Sequence, residues 1–208
     1  MKGKGDIMTN KNYDLLNDNL ELEMKIQVDD INIILDWLEN NGEYLGKTSQ
    51  IDYYYDPINH PFIFTDATGF LDANDWLRVR VSAEGCSLCF KRCHRNEQNI
   101  ALYSDEIETK ICDAEKMKKI LVELGYREIL KLKKDRKSYK YNTYRFDIDD
   151  IARLGCFIEI EDQGHISDLL EGRQRIRDTL KKIGIINYKE VNTAYPQMIW
   201  NNKIPYIG

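Results

Sequence analysis

Charges in this chain tend to come as like-signed doublets set two residues apart. Glu21 and Glu23 flank Leu22, Arg78 and Arg80 flank Val79, Glu106 and Glu108 flank Ile107, and Glu159 and Glu161 flank Ile160. Lys134 and Arg136 form a fifth doublet, while Lys25 follows the first in phase and Lys91 lies in phase with Cys89. In a β-strand, residues i, i+2 and i+4 point to one side. Each doublet therefore puts two like charges on one face. The opposite face carries apolar runs such as Leu22, Met24 and Ile26, or Leu77, Val79 and Val81. An antiparallel sheet can present such a face to water. A solvated face normally mixes signs, however, because like charges side by side repel.

A sheet that closes with the charged face inward and helices over its apolar outside accounts for this sorting. Its interior gathers carboxylates and cations on different strands. A dry core of this kind costs several kcal/mol per unpaired ion, so the interior is a wet tunnel whose charges await a ligand of both signs. A polyphosphate with divalent metal fits. Carboxylates suit Mg²⁺ or Mn²⁺, Arg grips phosphate oxygens with a planar fork, and Lys supplies a point charge.

The alternation predicts strands over 20–28, 49–55, 75–82, 86–93, 100–111, 127–135, 138–147 and 156–162. Helical period predicts three helices. One has Ile31, Ile34, Leu35 and Leu38 on one face; a second has Met117, Ile120, Leu121 and Leu124. A third starts near Ser167 as its N-cap and stops before Gly184. Glu21-Leu-Glu23-Met-Lys25 and Glu106-Ile-Glu108-Thr-Lys110 each precede an acidic helix start, 8 and 7 residues on. Two similar halves, each strand–helix–three strands, are the simplest account. The expected fold is α+β: a closed eight-stranded antiparallel β-barrel, or tunnel, with a charged interior and helices outside. The expected organisation is a flexible leader over 1–19 and one tunnel domain over 20–208.

A chain of 208 residues can bury a core without disulfides or a structural metal. Its formal net charge of −5 disfavours nucleic acid and anionic lipid. No apolar run reaches the roughly 18–20 residues that cross a bilayer. Five cysteines, an odd count, suit a reducing compartment, and a cytoplasmic location is expected.

Several stretches together resemble the CYTH superfamily, or triphosphate tunnel metalloenzymes. They are Glu21-x-Glu23-x-Lys25, Gln50-Ile-Asp52-Tyr-Tyr54-Tyr-Asp56, Trp76-Leu-Arg78-Val-Arg80 and Ser87-Leu-Cys-Phe-Lys91. Glu106-Ile-Glu108, Lys134-x-Arg136-x-x-Tyr139, Asp149-Asp-Ile-Ala-Arg-Leu-Gly155 and Phe157-Ile-Glu159-Ile-Glu161 complete the set. Their order and spacing span residues 20 to 190, and the second half is most similar to class IV adenylyl cyclases. The resemblance implies two divalent ions, Mg²⁺ or Mn²⁺, and a triphosphate substrate, ATP favoured. It implies Glu21, Glu23, Glu159 and Glu161 as metal ligands, Glu106 and Glu108 as ligands or supporting acids, and Asp147 as a further ligand. Lys25, Arg78, Arg80, Lys91, Lys134 and Arg136 are implied to bind the triphosphate. A homodimer is implied on the same ground alone.

Three departures stand out. The connection 56–69 is longer and more aromatic than usual and could cap one mouth. Cys156 follows Gly155 where an acidic or small polar residue is common. The His-Phe lead-in that some cyclases of this class carry is missing.

The expected activity is cyclisation of ATP to cyclic AMP and pyrophosphate. The alternatives are hydrolysis of a nucleoside, thiamine or inorganic triphosphate, and non-catalytic binding of polyphosphate or nucleotide. Lys25 and Tyr54 are the candidates to orient or deprotonate a water, which favours hydrolysis. The cluster Cys86-x-x-Cys89-x-x-x-Cys93-His94 could suggest zinc, but a strand there puts Cys86 and Cys89 on opposite faces. His60 reads as a surface residue and His165 as a local hydrogen-bonding group. Arg173, Arg175 and Arg177 read as a solvated or partly tunnel-facing stripe.

Overall fold

The computed structural model describes residues 20–204; the expected leader, 1–19, and residues 205–208 lie outside the described part. The elements in order are β1 (Leu20–Glu21), β2 (Glu23–Gln27), α1 (Ile31–Asn41), β3 (Glu43–Pro57), β4 (Ile63–Thr65) and β5 (Leu71–Ala73). There follow β6 (Asp75–Ser82), β7 (Gly85–Arg95), β8 (Ala101–Ile111), α2 (Ala114–Glu123), β9 (Tyr126–Tyr141) and β10 (Tyr144–Ile151). The chain continues through β11 (Gly155–Asp162), α3 (Leu169–Lys182), β12 (Lys189–Glu190) and α4 (Tyr195–Asn201).

Ten strands form one strongly curled antiparallel sheet in the order β1-β8-β7-β6-β3-β9-β10-β11-β2-β12. The expectation of eight strands differs because 20–28 is split at Leu22 and because β12 adds a two-residue ladder on β2. The two pieces of the split strand serve opposite ends of the order. Leu20 and Glu21 pair with Asp105 and Ser104 of β8, whereas Glu23–Ile26 pair with Glu161–Ile158 of β11. The halves are also visible: β2–α1–β3–β6–β7 and β8–α2–β9–β10–β11, meeting where β3 pairs with β9. The echo is imperfect, since Lys25 lies half-buried while Lys110 is exposed.

Two expected boundaries are wrong. β9 runs unbroken from Tyr126 to Tyr141, where a break near 136 is expected, and β10 starts at Tyr144. Its outer face carries Lys131, Lys133, Asp135 and Lys137, so both faces are polar and period-two hydropathy vanishes from the sequence. The true turn falls at Asn142, whose φ of 54° suits asparagine. β3 begins at Glu43, six residues before expectation, and absorbs an irregularity between Tyr44 and Gly46.

Helices cover the apolar outer face. Ile34 and Leu38 of α1 and Ile176 and Leu180 of α3 pack on Met24, Ile26, Phe146, Ile158 and Ile160. Ala114 and Leu121 of α2 pack with Tyr55, Leu77 and Val79. The expected α2 face is wrong in part: Ile120 and Leu124 are exposed, and Ala114 is buried in their place. Asp30, Asp113 and Asp168 cap α1, α2 and α3 by accepting from Asn32, Lys116 and Glu171 N–H. Asp168 thus replaces the expected Ser167, and Gly184 ends α3 at a φ of 86°.

The connection after β3 forms the small β4–β5 hairpin, which docks on α4. Asn201 of α4 accepts from Leu71 N–H at 2.7 Å and donates to Leu71 C=O at 3.1 Å. Gln197 donates to the same carbonyl, and Trp200 donates to Gly69 C=O. Asn201→Ala leaves the Leu71 N–H without its acceptor, an expected loss of about 1–3 kcal/mol. Urea unfolding would read it, and an unchanged midpoint would rule out this clamp.

Candidate active site

The inner face of the curled sheet changes character along its strands. On β9, Leu130 and Leu132 give way in phase to Lys134, Arg136 and Ser138; on β6, Trp76 gives way to Arg78 and Arg80. The apolar end is filled by Tyr54, Trp76, Leu130, Leu132 and Phe157 together with Tyr195 and Ile199 of α4 and the hairpin residues Ile63 and Leu71. The charged end surrounds a cavity of about 430 Å³.

All fourteen residues singled out from the sequence line this cavity: Glu21, Glu23, Lys25, Tyr54, Arg78, Arg80, Lys91, Glu106, Glu108, Lys134, Arg136, Asp147, Glu159 and Glu161. Their phase on nine strands brings them together. The structure adds two carboxylates that had been given no role, Asp52 and Asp149, both buried beneath the cations. Phase could have found them, since Asp52 precedes Tyr54 and Asp149 follows Asp147 on the same faces. It adds Arg145 and Tyr195 to the lining as well.

Three ionic clusters organise the wall. Arg80 holds Asp52 with both prongs, at 2.7 and 2.8 Å, and Arg78 reaches Asp52 at 3.8 Å and Glu108 at 3.2 Å. Burial alone would raise Asp52, but Arg80 and then Arg78 hold it well below the usual carboxylate range. Arg136 donates to Asp147, Asp149 and Glu159, each at 2.6 Å, while Lys134 pairs with Asp149 at 2.9 Å. Burial again opposes ionisation of Glu159, and Lys25, Lys134 and Arg136 outweigh it, so Glu159 stays charged. Lys134 is pushed down to about 8, by burial and then by Arg136.

In the third cluster, three carboxylates converge on one ammonium. Lys91 Nζ lies 2.5 Å from Glu21, 3.0 Å from Glu23 and 3.2 Å from Glu106. Arg78 also reaches Glu106, at 3.5 Å, so two cations face three carboxylates and the negatives are still in excess. Glu21 is accordingly raised well above its ordinary value, by burial foremost and then by Glu23 and Glu106 despite Lys91. Glu161, on the rim opposite Glu23, is also raised, chiefly by burial. A donor set of crowded hard oxygens short of positive charge fits a divalent cation of the Mg²⁺ or Mn²⁺ kind.

Tyr54 is buried edge-on against Trp76, 5.8 Å between ring centres. Burial and the Asp52 charge push its phenol far up, so it keeps its proton. Lys25 pairs with Glu159 at 3.2 Å, donates to Thr193 C=O and sits 3.9 Å over the Tyr195 ring. Its immediate partners are thus an anion, a carbonyl and an aromatic face.

The cysteines sit as the strand reading requires. All of 85–95 is one strand, so Cys86, Cys89, Cys93 and His94 do not converge. Cys89 instead lies with Glu106 and Glu108, ligand atoms within 4.8 Å of one another, and burial pushes its thiol up to about 12. Of the arginine stripe on α3, Arg173 lines the cavity and binds Glu190, while Arg175 and Arg177 pair with Asp162 and Glu190. His60 is exposed.

Among the described residues, no helix is long and apolar enough to cross a membrane. The family model described as the CYTH domain matches residues 19–195. A Methanocaldococcus jannaschii protein named as a candidate adenylate cyclase is 30% identical over 174 residues, covering 83% of this chain and 93% of that one. A Pyrococcus horikoshii structure has a TM-score of 0.69 at 24% identity, covering 88% of this chain and 99% of that one. A Hippeastrum candidate adenylyl cyclase, described as revealing a dominant triphosphatase activity, has a TM-score of 0.61 at 16% identity over 88% of this chain and 95% of its own. The family model spans most of the chain and the relative is matched over most of both lengths: this chain belongs to the CYTH family.

Proposed function

We propose that the chain is a divalent-metal-dependent enzyme acting on a triphosphate, with cyclisation of ATP to cyclic AMP and pyrophosphate as the first reading. The observation that carries it is a single cavity lined by two cation sets and a cation-deficient carboxylate set. Arg78 also keeps a buried Nε–H without a partner among the described residues. A buried orphan donor costs about 1–3 kcal/mol unless an acceptor arrives, and a phosphate oxygen is such an acceptor. The finer architecture belongs to the same proposal: the curled sheet closes across Leu22 into a tunnel wall.

In this reading Arg78, Arg80, Lys91, Lys134 and Arg136 hold phosphate oxygens and neutralise the charge that grows on the leaving group. Lys134 is mostly protonated at neutral pH and serves as a charge. Lys25 positions the reacting phosphate, and Tyr54, which keeps its proton, orients by hydrogen bonding. Glu21, Glu23, Glu159 and Glu161, with Glu106, Glu108 and Asp147 beside them, would hold Mg²⁺ or Mn²⁺. The metal, when bound, supplies positive charge that these arginines and lysines alone leave incomplete. Catalysis is then chiefly positioning and charge stabilisation.

The Hippeastrum description favours a second reading, hydrolysis of a nucleoside, thiamine or inorganic triphosphate. Product analysis with ATP, thiamine triphosphate and tripolyphosphate, with Mg²⁺ or Mn²⁺ and with chelator, separates the readings. Cyclic AMP supports the first and orthophosphate the second. Binding without turnover would leave a polyphosphate receptor and end both enzymatic readings.

A further inference from the structure

One strand carries Cys86, Cys89, Cys93 and His94, so these four do not converge on a metal. Cys89 nevertheless finds ligands on the neighbouring strand. β7 and β8 pair without a register shift from Cys86 to His94, which sets Cys89 directly across from Glu108 and leaves Glu106 two residues along on the same face. Directly opposed residues hold their Cβ atoms about 4.5–5.5 Å apart. Cys89 Sγ and one oxygen from each carboxylate accordingly lie within 4.8 Å of one another. All three residues line the cavity, so an ion in it can reach them.

Charge favours a divalent ion at this wall. Arg78 and Lys91 face Glu21, Glu23, Glu106 and Glu108, two cations against four carboxylates and a deficit of two. Arg78 also reaches Asp52, which already has Arg80. Glu106 meets Lys91 at 3.2 Å and Arg78 at 3.5 Å, and Glu108 meets Arg78 at 3.2 Å. An ionised carboxylate offers about four lone-pair sites, so each keeps room for a metal bond.

Sulfur decides which ion. Mg²⁺ takes oxygen ligands and leaves a thiol alone, whereas Zn²⁺ and Cd²⁺ take sulfur. Bonds of about 2.3 Å to sulfur and 2.0–2.2 Å to oxygen set the ligands of Zn²⁺ about 3.5 Å apart, so side-chain shifts of roughly 1 Å close this set. Cys89 is 1% exposed and the Glu108 side chain 41% exposed, so the sulfur is fixed and the carboxylate is the part that swings.

We propose that Cys89, Glu106 and Glu108 form a binding site for a thiophilic divalent ion of the Zn²⁺ or Cd²⁺ kind in the wall of the cavity. Binding breaks the Cys89 S–H bond, sends its proton to solvent and forms the sulfur–metal bond. The site itself does not depend on the triphosphate reading. Its consequence does: an ion held there takes Glu106 and Glu108 away from Mg²⁺ or Mn²⁺ and lowers turnover.

The test is Cd²⁺ titration of the full chain in a large excess of Mg²⁺, read by calorimetry and by the ultraviolet sulfur-to-metal charge-transfer band. The parent is expected to take one equivalent with the band. Cys89→Ser with native circular dichroism should lose that band and bind at least about tenfold more weakly. Glu108→Gln, changed at the exposed rim, should keep the band and weaken binding by about the same factor. Cys112→Ser, which removes an exposed thiol, should titrate as the parent does. A parent-like titration in Cys89→Ser or Glu108→Gln, or displacement of Cd²⁺ by Mg²⁺, would overturn the site. With ATP or tripolyphosphate as substrate, Zn²⁺ should inhibit the parent at concentrations at least about tenfold below those that inhibit Cys89→Ser. Equal sensitivity would overturn the inhibitory role. Absence of turnover in the parent would end the enzymatic reading and leave the metal site standing.

Discussion

Lys25→Ala is expected to lower kcat/KM for the triphosphate by about a hundredfold or more while the protein keeps its fold. Lys25 is placed to act on a ligand, since its ammonium points into the cavity between Glu159 and the Tyr195 ring. Its loss leaves no carboxylate stranded, because Glu159 still receives Arg136 at 2.6 Å. The remaining structural cost is one hydrogen bond to Thr193 C=O at 3.3 Å, about 1 kcal/mol. Turnover measured as pyrophosphate or orthophosphate release, beside a thermal melt, separates the two effects. Activity within about twofold of the parent would remove Lys25 from the site.

The opposite pattern is expected of Arg136→Met. Arg136 is shared by Asp147, Asp149 and Glu159, each at 2.6 Å, and its removal leaves a buried methyl group among three carboxylates that keep only their other partners, Arg145 and Ser138 at Asp147, Lys134 at Asp149 and Lys25 at Glu159. Breaking a buried ion pair from one side typically costs about 3–5 kcal/mol. Lys134 remains near Asp149 and softens the loss there. The cost should also depend on pH. Glu159 and Asp149 ionise below their ordinary values of 4.5 and 3.8 in the folded chain, each through its cations and against burial. The unfolded chain then binds more protons than the folded one in acid. Stability from this cluster is complete above those ordinary values and is lost as pH falls through the lower folded ones. Denaturant midpoints from pH 7 down to 3 would show a steep acid decline in the parent and a shallower one in the variant. A loss below about 1 kcal/mol at pH 7 would mean that water already reaches these carboxylates.

How far the sequence reached is clearest on β9. Lys134 and Arg136 were legible as a cationic doublet, yet the strand holding them was broken in the wrong place. Sequence period reads the contrast between two faces, and on this strand both faces are polar: one meets water, the other the cavity. The doublets on β1–β2, β6 and β11 were placed well because an apolar row alternates with each. α2 shows the reverse limit. Its hydrophobic period was real, but its docking angle on Tyr55 and Leu77 buries Ala114 and exposes Ile120 and Leu124.

Alternation and sign by themselves determined that one face of a curled antiparallel sheet gathers carboxylates and cations, because side-chain direction in a strand is local geometry. They could not supply the counter-charges. Asp52 and Asp149 gain their roles only when β6 and β9 lie beside them, placing Arg80, Lys134 and Arg136 within hydrogen-bonding distance. The docking of α4 was equally out of reach. Tyr195 lies 170 residues from Lys25 and 61 from Lys134, on a helix too short to announce itself, held by a hairpin that the sequence showed only as a long aromatic connection. That Tyr195 lines the cavity beside Lys25 and Lys134 follows from contact between distant segments, and packing of this kind is decided by the tertiary fold alone.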